Sequence, residues 1–388
     1  MAAIDRTSDH PFGTAARRAL VAWLTARAVV GIAWLITSTS WFEGFSTSFS
    51  QRHRGLFLWD GTYYRELAAV GYEGTASEVQ RFFPLYHLLG RWVGAVAGVV
   101  TSRGDEVGLL LVANVAAFVA LWLMYLVVAD LSGDERLASR SVWWLALFPA
   151  APVLVWAYSE SLGIALGLAA VWWYRRRWWW ASALCGVGVG LTRSVGATLA
   201  VVFAVAALTD FGELRRLQRR WSLRDWVGRA AAILGPPAGF AAYFLWLRSE
   251  FGTWEHPLEA QRQFRDGWRD PLTRLVQAAI DVAGGSADDA FNLAFAVLVI
   301  AVLVLTWRRV PMAGWAYVAV TLIVVLAANN IDSLGRYVLA AFPLVALCAV
   351  AERRLAGDRR WVPWVVSSGS AAAMIVYCLW AWSGRMIP

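Results

Sequence analysis

Residues 108–129, GLLLVANVAAFVALWLMYLVVA, contain no charged side chain over 22 positions. An α-helix of this length matches the hydrocarbon core of a bilayer, which is about 30 Å thick. Similar apolar runs recur along the 388-residue chain, and 59% of its residues are hydrophobic whereas 16% are charged. Soluble proteins carry about 25% charged residues. The sequence therefore predicts an all-α polytopic membrane protein.

The apolar runs and the arginines between them predict the topology. The runs lie near 17–37, 83–100, 108–129, 139–157, 159–174, 178–191, 194–209, 230–248, 289–307, 312–328, 336–351 and 362–382. Short basic segments such as 175–177 and 353–360 are assigned to the cytoplasm, because arginine favours that side of a membrane. About 11 transmembrane helices follow, with the N-terminus inside and the C-terminus outside. The alternation requires that 83–100 or 139–157, which both contain proline, does not cross completely.

The chain is predicted to form one integral-membrane domain over 1–388, because it contains neither an internal repeat nor a separate soluble segment. The loops 38–81 and 249–288 are expected on the extracytoplasmic side, and amphipathic helices are expected in the first. Residues 210–229 are arginine-rich and amphipathic, so they are expected on the cytoplasmic leaflet. The first apolar run begins too far along the chain and is too long for a cleaved signal peptide, and we expect it to be retained.

The formal net charge of +8 does not indicate a nucleic-acid partner, because the basic residues lie in short loops between apolar runs. Cys185, Cys348 and Cys378 lie within apolar runs without metal-ligand spacing and are expected to be core residues. Heavy use of arginine and alanine is typical of a GC-rich bacterial genome. We therefore expect a multi-pass protein of a bacterial plasma membrane.

Ionisable side chains near the hydrocarbon are costly, so their positions indicate function. The predicted topology brings several of them to the outer boundary: Asp60, Arg81, His87, Glu160, Arg193, Asp332 and Arg336. Guanidinium groups bind phosphate oxygens through paired hydrogen bonds. A neighbouring carboxylate can accept the proton of an attacking hydroxyl. This combination predicts transfer of a group from a lipid phosphate to an alcohol at the outer face.

Four stretches carry a resemblance to a known family. They are LWDGTYYRELAAVGYEG (58–74), RFFPLYHLLGR (81–91), AYSESLGIALGLAAVWWYRRRWWWASALCGVGVGLTRSVGA (157–197) and DSLGRYVLAAFPL (332–344). In this order they resemble the PIG-V-like mannosyltransferases of the GT-C glycosyltransferase superfamily. The block from Asp60 to FFPLY is the most specific part, and the similarity extends from about residue 20 to about residue 350.

The resemblance implies a GT-C fold and an inverting displacement at the anomeric carbon of mannose carried on polyprenyl phosphate. Asp60 would be the general base, and Arg193, Arg336 and His87 would contact the donor phosphate. Further residues would contact the substrates: Trp59, Tyr63, Tyr64, Arg81, Tyr86, Glu160, Asp332 and Tyr337. Neither a cofactor nor a metal ion would be required, and the departing phosphate would need no acid catalyst because it already carries negative charge.

Several of these residues also have simpler structural interpretations. Asp60 is placed to cap the helix that follows it, and Arg336 lies four residues after Asp332 and can pair with it. Glu160 can hydrogen-bond the first loop instead of a substrate. His87, at a position where the family commonly has proline, either joins the phosphate site or faces interfacial water. The aromatic residues are also typical of the belt at a membrane boundary.

We therefore expect a hexosyltransferase that moves mannose from polyprenyl-phosphate mannose to a hydroxyl of a glycolipid or lipoglycan of the cell envelope. The loop 249–288 is expected to cover the acceptor side. The sequence does not separate mannose from glucose or a pentose on the same lipid carrier, and it leaves the oligomeric state open. A lipid-sugar transporter would require polar residues through the full membrane depth, whereas the ionisable groups of this chain are predicted on one side.

Overall fold

The computed structural model of the chain describes residues 11–217, 221–265 and 267–388. Within these residues the regular structure is helical and no β-strand occurs, so the all-α prediction is confirmed. The α-helices are α1 (Pro11–Ile36), α2 (Ser40–Phe45), α3 (Asp60–Val70), α4 (Pro84–Ala97), α5 (Gly104–Ser132), α6 (Glu135–Leu147), α7 (Glu160–Arg175), α8 (Trp179–Gly190), α9 (Ala200–Arg216), α10 (Leu223–Phe251), α11 (His256–Arg265), α12 (Pro271–Ala283), α13 (Ala287–Thr306), α14 (Met312–Leu326), α15 (Leu334–Ala340), α16 (Pro343–Ala356) and α17 (Val362–Ser383). Short 3₁₀ segments occupy Arg52–Phe57, Ser77–Arg81, Ala151–Leu154 and Ser194–Leu199.

Six helical stretches of the described chain are long and apolar enough to cross a bilayer. They are Phe12–Ile36, Gly104–Ser132, Ser194–Arg216, Leu223–Phe251, Asp289–Thr306 and Val362–Ser383. The pair formed by α15 and α16 adds a seventh candidate if this pair, which bends by 92° at its break, forms one span. The chain is thus a multi-pass membrane protein, whereas the count of about 11 crossings stays a prediction.

Both of the apolar runs considered for incomplete crossing form short helices. α4 has 14 residues and α6 has 13, so each extends about 20 Å, which is less than the bilayer core. α6 ends at Leu147, two residues before Pro149, in keeping with the steric effect of proline on the preceding backbone. Phe148 and Ala150 in the irregular backbone that follows are fully buried. Non-helical backbone is tolerated within a membrane only where protein or water surrounds it.

Glycines permit close contact between the helices that support the first loop. α4 packs on α5, where a methyl group added at Gly94 would lie 2.8 Å from the backbone of Gly104. α8 packs on α10, where a methyl group added at Gly186 would lie 2.8 Å from Pro236. Membrane helices associate through small residues in this way, because lipid tails remove the hydrophobic advantage of larger side chains.

The loop 38–81 is hydrogen-bonded to the C-terminal end of α17. The backbone nitrogen of Gln51 donates to the carbonyl of Trp382 over 2.7 Å, and the Trp382 indole donates to the carbonyl of Gly55 over 2.9 Å. The backbone nitrogen of Thr47 donates to Ser383 over 2.9 Å. These bonds join segments more than 300 residues apart and fix the chain just before α3 begins.

The other two predicted loop segments are built differently from each other. In 210–229, the first residues end α9 and the last begin α10, while 218–220 lie outside the described residues. In 249–288, where residue 266 lies outside the described residues, the chain forms α11 and α12. α11 packs against the 3₁₀ turn of the first loop, where the imidazole of His256 lies 3.0 Å from the side-chain oxygen of Gln80. The two large loops therefore meet.

Candidate active site

Asp60 occupies the first position of α3, directly after an unusual backbone conformation. Trp59 has φ 50° and ψ −117°, a region that costs a non-glycine residue about 1–2 kcal/mol. Its indole donates to the carbonyl of Ala381 over 3.0 Å, which holds the residue in place. Trp59 therefore takes the cap position that the sequence assigned to Asp60, and the Asp60 carboxylate lies in the first turn, where the helix dipole favours negative charge.

Arg336 lies in α15 and pairs with Asp60. The preceding turn contains Ser333, whose φ of 67° also lies in the left-handed region. Nη1 of Arg336 contacts Oδ2 of Asp60 and lies 3.5 Å from Oε1 of Glu160. The alternative partner Asp332 instead accepts a hydrogen bond of 2.8 Å from the Asn330 side chain. The ion pair is thus made across the fold, not along one helical turn.

Glu160 and Arg193 form a second ion pair beneath the first. Glu160 begins α7 and its side chain is 1% exposed, while Arg193 follows the end of α8 and is 10% exposed. Burial lowers the pKa of Arg193, but the Glu160 carboxylate together with Tyr337 and Tyr64 outweighs burial and the repulsion from Arg336, and leaves that pKa above its usual value. Oε1 of Glu160 contacts Nη1 of Arg193 and lies 3.5 Å from Nη1 of Arg336. It therefore balances Arg193 and Arg336 through charge.

These groups border one cavity of about 200 Å³. Nine of the residues predicted for the site line it: Trp59, Asp60, Tyr63, Tyr64, Arg81, Arg193, Asp332, Arg336 and Tyr337. They come from the first loop, from the segment after α8 and from the start of α15. Segments far apart in the chain thus bring a carboxylate, guanidiniums and aromatic rings to a single space.

Three other predicted residues lie behind the cavity wall. Glu160 supports the wall through its two arginine partners. Tyr86 is fully buried, its hydroxyl donates to the carbonyl of Leu109 over 3.0 Å, and its ring packs against that of Tyr64. His87 is 1% exposed and its Nε2 lies 3.1 Å from the Tyr72 hydroxyl. Neither of the sequence alternatives for His87, a phosphate contact or interfacial water, describes this buried position.

The cavity is also lined by residues that the sequence did not assign to the site. They are Phe82, Phe83, Thr192, Ser194, Gln261, Phe264, Arg265, Asn330, Ser333 and Ile387. Arg265 of α11 donates to the carbonyl of Asn330 over 3.1 Å, and its guanidinium lies 4.8 Å from the Tyr337 ring centre. The Arg81 guanidinium lies 3.5 Å from the ring centre of Phe264. α11 combines aromatic and basic residues, and this composition was the available signal in the sequence.

The charges around the cavity leave hydrogen-bond donors available. Four guanidiniums, those of Arg81, Arg193, Arg265 and Arg336, face the carboxylates of Asp60, Glu160 and Asp332. Nη1 of Arg81 and Nε of Arg336 are buried and donate to no described residue. Buried donors are normally satisfied, and the oxygens of an anion are acceptors for such donors. The arrangement can therefore bind a phosphate beside a carboxylate.

The resemblance implies that no metal ion is required. Among the described residues, no group of three or more His, Cys, Asp or Glu side chains is placed to hold a metal ion. The expectation itself stays a prediction.

Comparisons with known proteins assign no family to the chain. No protein-family profile and no curated protein matches it. Solved structures of the Archaeoglobus fulgidus oligosaccharyltransferase are similar to it. The AglB complex with an inhibitory peptide and a dolichol-phosphate has a TM-score of 0.45 and 14% identity, covering 93% of this chain and 55% of that one. The apo form has a TM-score of 0.44 and 13% identity, covering 93% of this chain and 56% of that one. The complex with Zn and sulfate has a TM-score of 0.41 and 15% identity, covering 92% of this chain and 52% of that one. This chain spans about half the length of those structures.

Proposed function

We propose that the chain is a GT-C glycosyltransferase that moves a sugar, mannose in the first instance, from a polyprenyl-phosphate donor to a hydroxyl of a glycolipid or lipoglycan. The observation that carries the proposal is the meeting of Asp60 with Arg81, Arg193, Arg265 and Arg336 around one cavity. The resemblance of the same segments to the PIG-V-like mannosyltransferases supports the choice of donor.

The chemistry assigns one task to each kind of group. The acceptor oxygen attacks the anomeric carbon, its proton passes to Asp60, and the bond from that carbon to the phosphate oxygen breaks. The polyprenyl phosphate monoester leaves with the bonding electron pair. Fixed cations stabilise the developing charge most effectively in a site that needs no reorganisation. The ion pairs to Asp60 and Glu160 hold Arg336 and Arg193 in this way.

The walls of the cavity also fit a sugar. The rings of Tyr63, Tyr64 and Tyr337 line it beside Trp59. Such rings combine an apolar face with a polar edge. The hydroxyl of Tyr64 is already engaged, because it donates to Ser159 over 2.8 Å. We therefore assign sugar or prenyl contact to the parts of these rings that line the cavity and not to that hydroxyl.

The test is a transfer assay with purified protein, labelled polyprenyl-phosphate mannose, glucose or arabinose, and an envelope glycolipid extract as acceptor. Mannose is expected to transfer. Asp60→Asn is expected to lower the initial rate at least about 1000-fold, because general-base assistance and the Arg336 pairing are both lost. Glu66→Gln is the matched control, since Glu66 is an exposed carboxylate of α3 outside the cavity. Wild-type rates in Asp60→Asn would remove the proposed base, and transfer of another sugar alone would correct the donor.

A further inference from the structure

A second cavity of about 750 Å³ lies at the opposite end of α7. Glu160 begins that helix at the Asp60 cavity, and Arg175 ends it at the second cavity. The 16 residues of α7 separate the two ends by about 22 Å. The second cavity is therefore separate from the candidate active site and is not explained by it.

The walls of the second cavity are mostly aliphatic and aromatic. They are contributed by α5, α7, α9 and α16, among others, and include Val128, Leu168, Val171, Phe203, Leu347 and Val350. Sites lined in this way bind the apolar part of a ligand, because contact with such walls removes its hydrocarbon from water. An alkyl chain fits these walls, whereas a free inorganic anion makes no use of them.

One end of the cavity is basic. Arg175, Arg177, Arg229 and Arg309 line it, and Asp210 is the carboxylate among the residues that line it. Arg309 is exposed. Arginine clusters at the end of an apolar site favour an anionic headgroup, since each guanidinium can bind phosphate oxygens with two hydrogen bonds.

Arg229 supplies the most specific observation. It is 9% exposed, and its Nη2 donates to Asp210 over 2.5 Å. The guanidinium lies 4.6 Å from the ring centre of Trp179 and 4.5 Å from that of Trp221. Its Nε and Nη1 are buried and donate to no described residue. The aromatic rings thus fix the group while two donors remain for a ligand.

Two further buried donors beside Arg229 also lack a hydrogen-bond partner among the described residues. The hydroxyl of Tyr174, a residue that is 7% exposed and lines the cavity, has no hydrogen-bond partner among the described residues. The indole nitrogen of Trp221 also has none among them. Buried polar atoms are nearly always paired in folded proteins, so a cluster of unpaired donors requires an acceptor. A phosphate group offers several acceptor oxygens to one cluster.

We propose that this cavity binds an anionic phospholipid of the bilayer. Its phosphate accepts hydrogen bonds from Arg229 and Tyr174, and an acyl chain lies along Leu168, Val171 and Leu347. The bilayer supplies this ligand in large excess over any polyprenyl phosphate. Phe342, at the break between α15 and α16, also lines the cavity, so the bound lipid contacts the bend that follows Arg336. The proposal is independent of the proposed enzymatic function.

The test measures lipid bound to delipidated protein by native mass spectrometry in detergent. The probes are phosphatidylglycerol, phosphatidylcholine, a polyprenyl phosphate and inorganic phosphate. Wild type is expected to retain one phosphatidylglycerol in preference to the other three. Arg229→Gln is expected to weaken this binding about tenfold or more, because charge-assisted hydrogen bonds are lost. Arg353→Gln is the control, because Arg353 pairs with Asp134 and does not line the cavity.

A second variant tests the proposal independently, in case Arg229→Gln does not fold. Ala206→Trp places a large ring in the cavity and is expected to exclude the lipid, whereas Leu208→Trp changes a 71% exposed residue of the same helix and is expected to bind as wild type does. Undiminished phosphatidylglycerol in Ala206→Trp would overturn the proposal. So would equal binding of phosphatidylcholine, preference for the polyprenyl phosphate, or binding of inorganic phosphate alone.

Discussion

The two cavities at the ends of α7 both contain arginines, but the ion pairs that these arginines form differ in burial. At the Asp60 cavity, the partner side chains Glu160 and Asp60 are 1% and 17% exposed. The arginines of these pairs, Arg193 and Arg336, are 10% and 8% exposed. At the second cavity, each pair has an exposed member: Arg175 and Arg177 are 39% and 65% exposed, and Asp210, the partner of Arg229, is 42% exposed. Exposed ion pairs are weak and screened by salt, whereas buried pairs fix the positions of their charges.

This difference matches what each cavity is proposed to do. A catalytic site gains rate only from charges that are already in place when the transition state forms. A lipid site requires an apolar wall and donors for one headgroup, and Arg229 is fixed there by aromatic rings. The comparison teaches that the burial of both partners of each ion pair, and not the number of arginines, distinguishes the two ends of this protein.

Among the changes that test the difference between the two cavities, the largest expected effect is on transfer by Arg336→Gln. This change removes the partner of Asp60 and a buried donor of the cavity, so the initial rate in the transfer assay is expected to fall about 100- to 1000-fold. Arg353→Gln removes an arginine whose side chain is 68% exposed, outside both cavities, and is expected to retain the wild-type rate. Equal rates for the two variants would show that the buried arginine contributes no more to transfer than the exposed one.

The next effect is on stability and concerns Glu160→Gln. Removing this carboxylate leaves Arg193 and Arg336 with one fewer buried counter-ion, so the free energy of unfolding is expected to fall by about 3 kcal/mol. Glu106→Gln removes the partner of Arg65 in a pair whose side chains are 39% and 29% exposed, and is expected to cost less than about 1 kcal/mol. Thermal unfolding in detergent measures both. Similar losses would show that burial of the counter-ion does not control the strength of these pairs.

The smallest expected effect follows chelation of metal ions. If the guanidiniums of the Asp60 cavity supply the positive charge for the leaving phosphate, EDTA is expected to leave the transfer rate unchanged to within about twofold. The measurement compares rates with EDTA alone and with added Mg²⁺ or Mn²⁺. A rate that collapses in EDTA and returns with one of these ions would assign part of the charge stabilisation to metal.

Much of the site could be predicted because its residues are expensive in a membrane. Asp60, Arg193 and Arg336 stand out from apolar surroundings, and the cost of placing them there indicates a task. Arg265 was missed for the opposite reason. It lies in a loop segment with many charges, where the mixed aromatic and basic composition of α11 did not separate this arginine from its neighbours until α11 packed against the first loop.

His87 and Tyr86 show a second limit of the sequence. Both belong to the block around FFPLY, and their chemistry suits a phosphate or sugar site. α4 is amphipathic, however, and its rotation places both side chains in the core, against Tyr72 and Tyr64. The amphipathic pattern predicts a polar face on α4, but only its packing on α5 decides whether that face meets protein or a ligand.

By itself the sequence determined the helices, the membrane environment and the set of costly polar residues, because apolar length and charge placement are local properties. Only the tertiary structure decided which charges meet. Arg336 pairs with Asp60, which lies 276 residues away, in preference to Asp332 four residues before it. The physical reason is that an ion pair forms where folding brings and buries its partners, and that place depends on the packing of the whole chain.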